Sequence, residues 1–219
     1  MRTGWRWFLA FSFLLLAVHE AHELAHAVVG RMVCGEWPLR DFNAWHFVHD
    51  CSSVLPTAAG PLFSYAIMVI GALLARTSPA AGAAVLFAAN PFARIFTAAM
   101  GGGDEMLVAQ RLLGLTQRTW PLRIGVLVVL LAICGSAIFV GWRAMRRPLW
   151  FITAMLWPMI LTGVLLFVVG NGLLRRGVLA QPVITGAPLL VIVVSAAAAV
   201  MTVLTFRWMF SDESQSRAS

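Results

Sequence analysis

The chain predicts an all-α protein that crosses a membrane about six times, and three observations predict it. Of its 219 residues 60% are hydrophobic and only 11% charged, against roughly 25% charged in an ordinary soluble domain. Apolar runs long enough to cross a bilayer, about 17–25 residues, recur from one end to the other. The net charge of +7 is carried by arginine without a single lysine. Almost every arginine flanks an apolar run, a placement that fits anchoring at lipid headgroups and not a nucleic-acid surface.

The expected spans are Trp5–Val29, Leu55–Leu74, Ala80–Met100, Trp120–Val140, Leu149–Val169 and Pro182–Phe206. The first could be mistaken for a secretory signal, with "AHA" at 25–27 as its cleavage site. It is too long for that, and a cluster of ionisable residues lies just before the supposed cut. The next connection, "RMVCGEWPLRDFNAWHFVHDCSS", is the longest and most polar. Its turn-formers and its partly alternating "FNAWHFVH" predict a short hairpin at the membrane interface. "GGGDE" at 101–105 separates the third span from a short helical piece, because three glycines in succession hold a helix poorly. The expected organisation is a core over residues 1–114, accessory transmembrane helices over 115–210 and a disordered tail, "SDESQSRAS", over 211–219. The protein is thus expected to be a multi-pass integral protein of the cell membrane. Its orientation is not given by its arginines, since the two sides carry 8 and 7 of them. Cys34 and Cys51 bracket the first loop and can pair only if that loop faces an oxidising compartment. Otherwise they are two free thiols, and Cys134 is packing.

Chemistry concentrates in "HEAHELAH", residues 19–26, inside the first span. An ionisable residue there costs at least a few kcal/mol, so several on one helix call for a counterpart. Successive helical residues advance about 100°, which leaves His22 and His26 about 40° apart on one face. At that spacing two imidazoles bind one tetrahedral zinc, and Glu23, in the same arc, reaches a water on the metal. The alternative is a polar helix face bonded to its neighbours. A third ligand is required. Between Asp50 and Asp212 the acidic residues are Asp104 and Glu105. Asp104 is the expected ligand and Glu105 the next choice, although Asp104 also suits the cap of the short helix. His19 faces the same cavity, as a supporting partner, an extra ligand or a water-binding group. His46 and His49, beside Asp50, are expected to be interfacial, with a lid or an accessory metal site as the alternative. Arg94 falls in a span and is expected to reach the interface, with pairing to Glu105 or Asp104 as the alternatives.

"HELAH" in the first span, then "AGPLFSY" (59–65), Asn90-Pro91 and a late aspartate beside glycines resemble the site-2 protease family of intramembrane zinc metalloproteases. The resemblance covers roughly residues 15–110. It implies His22, His26 and Asp104 as zinc ligands, Glu23 as the base and Asn90 as a group that holds the substrate carbonyl. It departs from the family at Ser64, where asparagine is common, in Asn90 preceding Asp104 by 14 positions, and in glycines that precede the aspartate. The expected activity is hydrolysis of peptide bonds in or near a transmembrane segment of another protein. Regulation would come through loops, the extra spans or a membrane partner. Two alternatives belong to other classes. One is a non-catalytic metal-binding relative or transporter. The other is a histidine-box oxidoreductase, which needs more histidines than the five present.

Overall fold

The structure is a computed structural model, and it describes residues 4–145 and 147–210. The expected tail lies outside the described residues. The chain is an all-α polytopic membrane protein, with six helical stretches long and apolar enough to span a bilayer.

Helix α1 runs over Trp5–Cys34 and stops at Gly35, whose φ of 78° only glycine adopts without strain. Strand β1 (Leu39–Arg40) then pairs antiparallel with β2 (Trp45–His46). The turn between them is closed by the Asp41 carboxylate, which accepts the N–H groups of Asn43 and Ala44. The expected hairpin is therefore present, and a disulfide joins Cys34 to Cys51 across its base. Helix α2 covers Leu55–Leu74, with Pro56 in its first turn and Pro61 inside it.

The third span is not the continuous helix expected. It consists of α3 (Pro79–Ala88) and α4 (Pro91–Ala99), broken at Asn90, which sits in the left-handed region at φ 56°. Proline disfavours a helical residue before it, and asparagine is among the few side chains that tolerate the left-handed conformation. The glycine break follows, with Gly101 and Gly103 at positive φ, and α5 takes up Asp104–Leu112. Next comes α6 (Trp120–Ala144). The fifth span starts as α7 (Pro148–Leu161), widens into a π-helical stretch over 162–170 and ends as α8 (Asn171–Arg175). Such wide turns occur mostly as single-turn bulges and often sit at functional sites. Helix α9 covers Leu189–Thr205.

Large side chains of α1, α3 and α6, among them Phe11, Leu15, Phe87 and Leu130, fill the centre. Ile124, Val128, Val193 and Val203 point outward. Apolar surface of this kind is compatible with lipid, and the helices satisfy their own backbone groups. The hairpin is held by a second set of contacts. The Gly186 carbonyl accepts the Arg40 N–H, and the Asn171 side chain bonds both the Phe42 N–H and Asn43. The spans beyond residue 115 therefore touch the polar loop directly.

Candidate metal centre

Four segments build the site. His22 and His26 come from the middle of α1, Ser64 and the Pro56 carbonyl from α2, Asn90 and Arg94 from the broken third span, and Asp104 from the start of α5. His22 and His26 are buried one helical turn apart. Their ring planes stand almost perpendicular, at 89°. His26 Nδ1 lies 2.7 Å from the Pro56 carbonyl oxygen, which can only accept, so the proton is on Nδ1 and Nε2 is left with a free lone pair. His22 Nδ1 lies 3.0 Å from Ser64 Oγ. Arg94 Nη2 is as close to that nitrogen, but it has a shorter bond to make, donating to Ser64 Oγ at 2.7 Å. With the His22 proton on Nδ1, the serine oxygen accepts from both, and the second Nε2 is free as well. Groups that fix the tautomer of a ligating histidine in this way are usual around metals.

The two free nitrogens then meet Asp104. His22 Nε2 lies 3.2 Å from His26 Nε2 and 3.3 Å from Asp104 Oδ2, and His26 Nε2 lies 3.4 Å from the same oxygen. An ion bonded at about 2.0–2.1 Å in tetrahedral geometry separates its ligands by about 3.3–3.4 Å. The three edges of the triangle match that separation, and all three corners are electron pairs. Among the described residues these three side chains form the group able to hold a metal ion. Two imidazoles and a carboxylate suit a small divalent cation. Gly60 makes the arrangement possible, since a Cβ at that position would lie 2.2 Å from His26 Nε2. Gly60 is thus a space requirement of the two histidines.

Asp104 does not cap α5. The cap position belongs to Gly103, and no side chain bonds there.

Around the triangle lies a cavity of about 500 Å³ lined by His19, His22, Glu23, Asn90, Arg94 and Asp104. Glu23 is buried within it. Asn90 Oδ1 is buried without a partner. His19 is turned away from the ion position, with Nε2 2.9 Å from the Phe42 carbonyl, so it supports the hairpin. Thr162, Gly163 and Phe167 of the π-helical stretch complete the wall. A contribution from the fifth span has no signal in its uniformly apolar sequence.

Arg94 departs from expectation. It does not reach the interface; it is half-buried and donates to Glu105 Oε1 at 2.5 Å, where the Tyr65 hydroxyl also donates at 2.9 Å. Glu105, the second choice as ligand, is thereby occupied. The physical reason is the glycine break, which turns α5 back so that two successive carboxylates face different partners, Asp104 the imidazoles and Glu105 the guanidinium. His46 and His49 do not join a metal group. His49 bonds Glu36 at 2.7 Å on the surface, and that bond holds the Glu36 carboxyl below its usual range.

Sequence reading missed a second buried constellation. Glu20, on α1 between His19 and His22, accepts from Arg40 Nη1 at 3.2 Å and from Ser195 Oγ at 2.8 Å. It ties β1 and α9 to α1. No family model, no curated protein and no solved structure matches the chain.

Proposed function

We propose that the protein is an intramembrane zinc metalloprotease that hydrolyses peptide bonds in or near transmembrane segments of other membrane proteins. One observation carries the reading. His22, His26 and Asp104 offer three ligand atoms within 4.8 Å of one another, and His22 and Asp104 share a cavity with a buried carboxylate, Glu23, and with Asn90, whose amide oxygen has no partner. Zinc fits two neutral imidazoles and a carboxylate, three protein ligands being the usual number at catalytic zinc sites.

His22, His26 and Asp104 would hold the ion. When bound, zinc supplies Lewis acidity that lowers the pKa of a water to about 7 and polarises a carbonyl. Glu23 takes a proton from the attacking water and returns it to the departing amine. The Asn90 amide has an N–H to offer the substrate carbonyl and an oxygen to accept a peptide N–H. Apolar side chains of the π-helical stretch in the cavity wall lower the local dielectric and strengthen polar contacts beside them. A helical substrate shields its peptide carbonyls in its own hydrogen bonds, so the cleaved stretch must be extended. Strand β2 presents an outer edge that no other named strand pairs, and an extended peptide can add there.

The test is co-expression of the full-length chain with a panel of single-span substrates. Replacing Glu23→Gln is expected to lower turnover by about 10²–10⁴-fold while bound metal stays unchanged. Equal cleavage by the intact and substituted proteins contradicts the reading.

A further inference from the structure

The Cys34–Cys51 bond bears on a question the arginine count leaves open, namely which side of the membrane the site faces. Disulfides persist in oxidising compartments and are rare where thiols are kept reduced. This one closes the base of the hairpin, between the last residue of α1 and the connection into α2.

The metal side chains belong to the same end of the bundle. His26 and His22 precede Cys34 by 8 and 12 residues, about 12 and 18 Å along a helix. The Pro56 carbonyl that orients His26 is in the first turn of α2. Asp104 begins α5, just past the end of α4. A polar cavity of about 580 Å³ leads from that end toward the site, lined by His46, His49, Asp50, Cys51, Arg111 and Asp104. Asp104 thus borders both cavities, and the polar one lies on the disulfide side.

We infer that the metal site opens on the oxidising, non-cytoplasmic side of its membrane. Its substrates are then membrane-anchored chains whose scissile segment lies in the leaflet facing that side, and the released product leaves on that side. The substrate clause rests on the protease reading; the orientation does not.

Two exposed positions report it, Val48 in the hairpin region and Arg76 on the opposite face. Full-length Val48→Cys and Arg76→Cys proteins are treated with a membrane-impermeant maleimide in intact bacterial cells, then after permeabilisation. Val48→Cys is expected to label in intact cells and Arg76→Cys only after permeabilisation. The reverse pattern overturns the inference. If Val48→Cys fails to accumulate, Ile184→Cys, equally exposed on the same face, gives the same reading. In parallel, Cys34 and Cys51 of the unaltered protein are expected to resist alkylation in acid-quenched cells until a reductant is added. Alkylation before reduction overturns the inference as well. Labelling reads orientation whether or not the protein cleaves anything, so its failure is separable from retained cleavage by the Glu23→Gln protein.

Discussion

Two buried polar constellations share helix α1, and they solve the same problem in opposite ways. Around Glu20 the chain supplies its own counterparts, since Arg40 and Ser195 both donate to Oε2, although Oε1 is buried without a partner. Around His22 and His26 it supplies the reverse. Three electron pairs converge within 3.4 Å of one another, and the neighbouring donor, Arg94, is directed at Ser64 instead. The first cluster is an ion pair that fastens the hairpin. The second gathers acceptors around a point that a cation would fill. Burial alone distinguishes nothing here, because both clusters are buried; the sign of what meets in the middle does.

That contrast can be broken by substitution, beginning with the largest effect. Changing Asp104→Asn keeps the shape and removes the charge, so metal affinity should fall by more than the roughly 10–100-fold typical of a supporting residue. Elemental analysis of the purified protein across a chelator series measures it, and thermal unfolding of the metal-free form should move little. Replacing Arg40→Met should act in the other direction. It leaves Glu20 buried without its cation and should cost about 3–5 kcal/mol of stability, read by unfolding in detergent, with metal stoichiometry retained in the folded fraction. Pairing it with Glu20→Gln should recover much of that loss. Smaller again is Ser64→Ala, which removes the oxygen that holds the His22 proton on Nδ1. Metal affinity should fall about 10–100-fold with little change in melting temperature. Should Ser64→Ala instead unfold the protein as readily as Arg40→Met, the two clusters would not differ in kind.

Much of this was legible in the residues. Six apolar runs announced six spans, and the pair of histidines one turn apart announced the donor geometry, because helical periodicity is a local property. The hairpin could be read from Asp41 and its neighbours for the same reason. What escaped reading depends on distant contacts. Glu20 meets Ser195 across 175 positions, and no spacing rule links them. Arg94 looked like an interfacial anchor because its partner, Glu105, lies beyond a glycine break whose direction the sequence does not encode. The widening over 162–170 falls in a run of apolar residues that reads equally well as a plain helix. The break at Asn90 did have a signal, the proline that follows, but the hydropathy of Ala80–Met100 runs straight across it.

The most direct measurement is the metal content of the full-length protein purified in detergent without chelators. About one zinc per chain is predicted, and the His22→Ala and His26→Ala proteins, still folded, should retain almost none. A chain that binds no metal at saturating zinc, or one whose metal survives loss of both histidines, contradicts the account.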